Sequence, residues 1–170
     1  GGWDRIIVIT APIGSGKTSF MNYLIKNKPN VDYLVSFDAY EQPEEAIKRI
    51  IDVLPIHKRI FGFSSDRTSF GEVLHKKLGD KKMMLVFDEA QDYDDGLFKW
   101  LRILNDRADN LFMLFLGLGG LEDKINAESS FRDRKAKSIK FNAFKINEIS
   151  EIVRKRIFWS GGTDIRPFTE

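Results

Sequence analysis

The stretch Ala11-Pro12-Ile13-Gly14-Ser15-Gly16-Lys17-Thr18 decides the fold of this chain. It follows a continuous apolar run, residues 5–10, and it precedes apolar side chains that recur at helical spacing. A glycine-rich loop between a buried strand and a helix is the Walker A pattern, here with alanine in place of the usual first glycine. The sequence therefore predicts a strand, a phosphate-binding loop and a helix in succession.

The residue types in this loop suit the binding of a nucleoside triphosphate. Gly14 and Gly16 carry no Cβ, so backbone N–H groups can approach phosphate oxygens closely. The amino end of the following helix adds partial positive charge. We expect Lys17 to reach the β- and γ-phosphates and Thr18 to offer its hydroxyl to Mg²⁺. The predicted ligand is ATP with Mg²⁺, and the predicted binding residues are Pro12, Ile13, Gly14, Ser15, Gly16, Lys17 and Thr18.

A simpler interpretation of the same loop is a glycine turn before an amphipathic helix that happens to contain Lys17 and Thr18. The strand pattern before the loop and the helical pattern after it disfavour that interpretation, because the phosphate-binding loop requires both.

A second motif stands at the end of the apolar run 82–87, where Asp88 and Glu89 are adjacent. Ligands of parallel α/β sheets bind at the carboxyl ends of strands. Neighbouring side chains on a strand point in different directions, so the two carboxylates can have different roles. Asp88 is expected to hold Mg²⁺, and Glu89 to polarise the attacking water. The alternative is an acidic helix cap after a core strand, which the upstream loop disfavours.

Composition excludes several classes of function. The 27 Lys and Arg residues nearly balance the 25 Asp and Glu residues, and a net charge of +2 gives no argument for nucleic-acid binding. The chain contains no cysteine, which excludes disulfides and thiolate metal sites. Its apolar runs are too short to cross a membrane, so we expect a cytoplasmic location.

Apolar β-type runs alternate with helical patterns along the chain, which indicates a three-layer α/β fold with a parallel sheet. Residues 69–72 fit a capping box and predict a helix that begins at Ser69 and ends at Gly79. The predicted strands are residues 5–10, 31–37, 82–87, 111–116 and 138–141.

These features together resemble the core of AAA+ ATPases. The resemblance covers almost all of residues 5–157, and it is strongest to the branch that contains origin-recognition ATPases, transposition-regulator ATPases and related archaeal ATPases. It implies a P-loop NTPase with a five-stranded parallel sheet in the order 5-1-4-3-2. It also implies ATP hydrolysis, self-association into an oligomer, and action on DNA or a DNA-bound protein.

The resemblance further implies an arginine finger before the fifth strand. Arg134 stands where clamp-loader-like members place this residue, and Arg132 is the second choice. Such an arginine would stabilise charge on the γ-phosphate bound to a neighbouring subunit. The alternative is a solvated basic loop within residues 132–140.

The chain departs from the family pattern in two respects. Its fourth strand runs into residues 116–120, LGLGG, without the polar sensor residue that members usually carry there. This departure predicts slow hydrolysis. The helical lid domain of the family is also not covered, so we expect residues 1–159 to form the nucleotide-binding core and residues 160–170 to be a linker and the start of that lid.

The predicted function is ATP binding with slow hydrolysis, used to assemble or remodel a DNA-associated or protein partner. One alternative is a nucleotide-switch ATPase of signalling or defence with vestigial hydrolysis. A small-molecule kinase is disfavoured, because the adjacent Asp88 and Glu89 at a strand end are typical of an ATPase. Residues 88–91 also resemble the DEAD signature of helicases, but no Ser-Ala-Thr motif follows the fourth strand. Residues 27–30 lack the aspartate of a guanine-specificity motif.

Three further side chains carry weaker expectations. Gln91 is expected to cap the next helix, or else to form a hydrogen bond near the γ-phosphate. Trp100 and Trp159 lie in helical patterns and are expected to be core residues.

Overall fold

A five-stranded parallel sheet, in the order β2-β3-β4-β1-β5, forms the centre of the molecule. The structure is a computed structural model that describes residues 5–27, 30–38, 40, 42–54, 67–127 and 137–163. The predicted strand order is confirmed, and each strand overlaps the run predicted for it. The strands are β1 (Ile6–Thr10), β2 (Tyr33–Phe37), β3 (Met83–Phe87), β4 (Leu111–Gly117) and β5 (Lys137–Lys140).

Helices flank this sheet on both faces. A short 3₁₀ turn, Ala90–Asp92, follows β3. The α-helices of the described residues are α1 (Lys17–Asn27), α2 (Pro43–Val53), α3 (Arg67–Leu78), α4 (Asp95–Arg107), α5 (Gly120–Ala127) and α6 (Ile146–Trp159).

Strand alternation divides the interior into two apolar cores. In β3, Leu85 and Phe87 join the larger core, to which α2, α3, α4 and α5 also contribute. Val86, between them, belongs to the smaller core together with Met21 of α1. Because successive side chains of a strand point to opposite faces, one apolar run can supply both cores. The result is the three-layer arrangement predicted from the sequence.

Three phenylalanines stack across neighbouring strands in the larger core. Phe87 lies opposite Phe37 of β2 and Phe115 of β4 in the strand register. Its ring centre is 4.8 Å from that of Phe37 and 5.0 Å from that of Phe115, both in stacked geometry. Equal register on adjacent parallel strands places the three rings on one face, so they anchor the strand that precedes Asp88.

Helix α3 begins earlier than the capping box predicted. Its first residue is Arg67, so Ser69 is already inside the helix and the predicted start is wrong. The predicted end is confirmed, since Gly79 adopts a positive φ of 52° and its N–H donates to the carbonyl of His75 at 3.1 Å. A left-handed residue after the last turn is the usual glycine stop.

The two tryptophans differ in burial. Trp100 of α4 is only 3% exposed, as expected, whereas Trp159 at the end of α6 is 80% exposed, so its expected place in the core is wrong. No residue of α6 is buried. Helical periodicity identifies residues that share a face, but it does not show whether that face meets the sheet. No helix among the described residues has the length and apolar character needed to span a bilayer.

Candidate nucleotide-binding site

The two sequence motifs meet at the carboxyl edge of the sheet. The Walker A loop leaves β1 after Thr10, which pairs with Gly117 at the end of β4. Asp88 leaves β3 on the other side of β4. Adjacent strands lie about 4.8 Å apart, so side chains from the two motifs must reach across the end of β4 to touch. This edge is where parallel α/β sheets bind ligands.

Two positive φ angles shape the loop between β1 and α1. Gly14 has φ 77° and Gly16 has φ 88°, a region that residues with a Cβ rarely adopt. Between them, the buried Ser15 donates its hydroxyl to the carbonyl of Pro12 at 2.6 Å. The loop is therefore closed by its own hydrogen bonds, and its glycines are required by the backbone.

Lys17, the first residue of α1, is buried beneath this loop. Its Nζ donates to the carbonyl oxygens of Ala11 and Pro12, both at 3.2 Å. An ammonium group has three donors, and these two bonds leave one of them for another acceptor. The positive charge thus lies at the loop that the sequence assigns to phosphate.

The closest link between the motifs joins Thr18 to Asp88. The Thr18 hydroxyl donates to Oδ2 of Asp88 at 3.1 Å, and the other oxygen, Oδ1, accepts from the backbone N–H of Glu89 at 2.9 Å. Asp88 is buried. Hydroxyl and carboxylate oxygens are the protein ligands that Mg²⁺ accepts beside phosphate oxygens. The donor set at this point therefore fits a magnesium ion held jointly with a nucleotide.

Glu89 stands beside this pair in an unusual backbone conformation. Its φ of 47° and ψ of 42° are left-handed, which is rare for a residue with a side chain. Its Oε2 accepts a hydrogen bond from Nε2 of Gln91 at 2.7 Å. A positive φ at the second carboxylate turns the chain sharply after β3, so Asp88 and Glu89 do not continue the strand.

Gln91 does not cap the next helix, so that expectation is wrong. The cap of α4 is Asp94, whose Oδ1 accepts from the backbone N–H of Leu97 at 2.7 Å. Aspartate is among the preferred residues at this position. The amide of Gln91 instead reaches the end of β4, where its Oε1 accepts from the N–H of Leu118 at 3.0 Å.

The end of β4 has no room for a side chain. A Cβ placed on Gly117 would lie 2.5 Å from Oε1 of Gln91 and 2.8 Å from Cδ2 of Leu121. Gly117 does not adopt a positive φ, so its backbone conformation does not require glycine. Glycine is needed there because a side chain would not fit. The missing sensor side chain noted in the sequence thus has a packing reason.

One neighbour of the loop was missed by the sequence reasoning. A Cβ on Gly16 would lie 3.6 Å from Cζ of Phe144, so this ring borders the Walker A loop. Phe144 is 42% exposed and follows β5 in a segment without helix or strand. A single aromatic residue in such a segment carries no periodic signal that could have identified it.

The predicted arginine finger lies outside the described residues. Arg132 and Arg134 both lie in residues 128–136, outside the described part of the chain. Their role stays a prediction. Within the described residues, no group of three or more His, Cys, Asp or Glu side chains is arranged to hold a metal ion.

Residues 3–125 match the protein family described as the AAA domain. The chain belongs to the AAA domain family. The match includes both motifs at the carboxyl edge of the sheet, and it confirms the resemblance to the AAA+ core. The division into a core of residues 1–159 and a linker of residues 160–170 stays a prediction. No curated protein matches the chain at a significant level.

Solved structures share the fold of this AAA domain. Cdc6p from Pyrobaculum aerophilum is similar with a TM-score of 0.69 and 21% identity, over 90% of this chain and 43% of its own. The ORC2 protein of Aeropyrum pernix, in ADPNP–ADP complexes, has a TM-score of 0.69 and 16% identity, over 93% and 47%. PCH-2 of C. elegans is more distant, with a TM-score of 0.53 and 16% identity, over 93% and 40%. The AAA domain thus spans less than half the length of these proteins.

Proposed function

We propose that this AAA domain binds ATP with Mg²⁺ and hydrolyses it slowly. The observation that carries the proposal is the 3.1 Å hydrogen bond between Thr18 and Asp88, which brings the Walker A loop and the carboxylates that follow β3 together. A chance glycine turn and an unrelated acidic cap would have no reason to meet across the end of an intervening strand. Their contact supports one shared site for phosphate and metal.

In this proposal the triphosphate lies over the loop from Pro12 to Thr18. The positive φ angles of Gly14 and Gly16 suit backbone N–H groups that face phosphate oxygens. Lys17 would exchange a carbonyl partner for a phosphate oxygen, which is a charge-assisted and stronger hydrogen bond. Thr18 and Asp88 would hold Mg²⁺. When bound, Mg²⁺ neutralises the negative charge of the phosphates.

Hydrolysis would depend on Glu89. Its carboxylate accepts hydrogen bonds and so orients a water molecule towards the γ-phosphorus. As the water oxygen bonds to phosphorus, the bond from phosphorus to the bridging oxygen breaks, which yields ADP and phosphate. The water proton passes to Glu89 and from there to solvent. Slow turnover is expected because β4 ends without a polar side chain.

The role of the whole protein is proposed from its relatives in fold. The A. pernix ORC2 protein was solved with ADPNP and ADP, and another similar structure is named a DNA replication initiation factor, with a TM-score of 0.52 and 10% identity. These names support a nucleotide-dependent module that acts on DNA or a DNA-bound protein. We propose in addition that it assembles with copies of itself. Arg134, with Arg132 as second choice, would supply the arginine finger between neighbouring subunits.

Isothermal titration calorimetry with ATP and Mg²⁺ tests the binding site. Lys17→Ala removes the cation beneath the loop and should abolish measurable binding. Lys26→Ala is the matched control, because Lys26 lies in the last turn of the same helix and is exposed. It should bind ATP as tightly as the wild type does. Equal affinity of wild type and Lys17→Ala would refute the assignment.

A second candidate function is a nucleotide switch in which binding alone controls assembly. The observation that favours it is the crowding at Gly117, which leaves β4 without its own polar side chain near the γ-phosphate. The two candidates differ in turnover. A switch binds ATP and holds it unhydrolysed, whereas the proposed ATPase releases phosphate at a rate that Glu89→Gln abolishes.

A further inference from the structure

The side-chain amide of Gln91 lies at the end of β4, although Gln91 itself follows β3. Its Oε1 accepts a hydrogen bond from the N–H of Leu118 at 3.0 Å. The glycine at position 117 makes this possible, because a Cβ there would lie 2.5 Å from the same oxygen. Gln91 therefore occupies the space that a side chain on β4 would need.

The partners of Gln91 determine which way its amide points. The backbone N–H of Leu118 can only donate, and the carboxylate of Glu89 can only accept. The amide oxygen must therefore face Leu118 and the amide nitrogen must face Glu89, where Nε2 lies 2.7 Å from Oε2. Nε2 also donates to Oδ2 of Asp92 at 3.1 Å. The reversed amide would lose all three bonds. The side chain thus connects the end of β4 to the carboxylate in one defined orientation.

The backbone of Gln91 is held by the helix that follows β4. Nζ of Lys124 in α5 donates to the carbonyl of Gln91 at 3.1 Å and to the carbonyl of Tyr93. The same ammonium group lies 5.2 Å from the ring centre of Phe98 in α4. Both the main chain and the side chain of Gln91 are consequently tied to the β4–α5 connection.

We propose that Gln91 is the positioning residue for Glu89 and holds its carboxylate from the end of β4. By donating to Oε2, it holds one carboxylate oxygen and leaves Oε1 to accept a hydrogen bond from the attacking water. The bond also ties the carboxylate to the end of β4, so a shift of β4 moves Glu89 with it. This inference rests on the proposed hydrolysis of ATP.

Substitutions at Gln91 test the role through single-turnover hydrolysis of labelled ATP, with protein in excess. Gln91→Ala removes all three side-chain hydrogen bonds, and Gln91→Glu keeps an acceptor for Leu118 but loses the donor to Glu89 and Asp92 when ionised. Both should lower the rate constant by on the order of 10²-fold, because a misplaced catalytic group loses about that much. Neither should change the affinity for ATP, since among the described residues Gln91 forms no hydrogen bond with the Walker A loop.

A double-mutant cycle separates positioning from general structural damage. If Gln91 acts through Glu89, the double variant Glu89→Gln/Gln91→Ala should hydrolyse ATP no more slowly than Glu89→Gln alone. Structural damage would instead slow both backgrounds by the same factor. Additive effects would therefore overturn the inference.

A second pair of variants tests the same contact from the opposite side. Gly117→Ala places a methyl group against Oε1 of Gln91, so it should reduce the rate. It should slow Gln91→Ala less than it slows the wild type, because only the contact with Leu121 remains in that variant. Gly119→Ala makes the same chemical change where, among the described residues other than its chain neighbours, no atom lies within 4 Å of the new Cβ, and it should hydrolyse at the wild-type rate.

The outcomes distinguish this inference from the proposed function. If wild type does not hydrolyse ATP, or if Glu89→Gln hydrolyses it as fast as wild type, the proposed hydrolysis through Glu89 is wrong and the role of Gln91 is lost with it. If Glu89→Gln is slow but Gln91→Ala keeps the wild-type rate, only the positioning role is wrong. A slow Gln91→Ala that is non-additive with Glu89→Gln supports both.

Discussion

The hydroxyl of Thr18 donates to the carboxylate of Asp88 at 3.1 Å, although 70 residues separate them in the sequence. Thr18 lies in the first turn of α1, and Asp88 follows the last residue of β3. The two meet because β1 and β3 flank β4 and all three strands end at the same edge. Variants of Thr18 and Asp88 therefore test the binding of Mg²⁺. Variants of their neighbours Lys17 and Glu89 test nucleotide binding and hydrolysis separately.

Substitution of either Thr18 or Asp88 should weaken the dependence of ATP affinity on Mg²⁺. Asp88→Asn and Thr18→Ala should each reduce the gain in ATP affinity that Mg²⁺ provides by roughly 10- to 100-fold, since interactions with charged groups contribute about 1.5–3 kcal/mol. Thr18→Ser keeps the hydroxyl and should retain the gain. Titrations of ATP with and without Mg²⁺ measure this gain in affinity. A full magnesium effect in Asp88→Asn would remove Asp88 from the metal site.

Glu89→Gln should stop turnover while ATP still binds. Glutamine keeps the shape of the side chain but cannot accept a proton, and loss of a general base lowers rates by roughly 10²–10⁴-fold. Phosphate release and calorimetry on the same preparation measure the two properties. Asp95→Asn, an exposed carboxylate in the first turn of α4, is the control and should hydrolyse normally. A fully active Glu89→Gln protein would show that another group activates the water.

Hydrolysis should require self-association if Arg134 completes a neighbour's site. An arginine finger contributes roughly 10³–10⁵-fold to the rate, so dilute protein should be nearly inactive and the rate per subunit should rise with concentration. Glu89→Gln and Arg134→Ala should each be inactive alone. Their mixture should regain activity, because some sites then combine an intact Glu89 with an intact Arg134 from the neighbouring subunit.

The control for that mixture is Glu89→Gln combined with the double variant Glu89→Gln/Arg134→Ala, which contains no intact Glu89 and should stay inactive. If the first mixture also stays inactive although both proteins fold and co-assemble, Arg134 does not act between subunits. The interpretation of Arg132 and Arg134 as part of a solvated basic loop would then stand.

Phe87→Ala should destabilise the domain by about 3–5 kcal/mol, because it empties the centre of the stacked phenylalanines. Phe87 is fully buried between Phe37 and Phe115. Urea denaturation monitored by circular dichroism measures the free energy of unfolding. Phe158→Ala removes a phenylalanine that is 73% exposed and should change stability by no more than about 0.5 kcal/mol. Equal midpoints for the two variants would contradict the assigned core.

Local features of the chain were predictable because neighbouring residues encode them. Gly14 and Gly16 adopt the positive φ angles for which glycine is suited, and the apolar run 82–87 contains strand β3. The predicted start of α3 at Ser69 was wrong, because several residues near Ser69 can begin a helix and the capping pattern does not choose among them.

By itself, the sequence determined the strand–loop–helix unit at Gly14–Lys17, the strand that ends before Asp88 and the parallel α/β class. Each depends on the conformation or burial of residues close together in the chain. Only the tertiary structure decided that Gln91 joins Glu89 to Leu118, that Phe144 borders Gly16 and that Trp159 is exposed. A glutamine amide suits many partners, and an aromatic ring packs against many surfaces. Their actual neighbours follow from how distant segments are brought together, which no local pattern encodes.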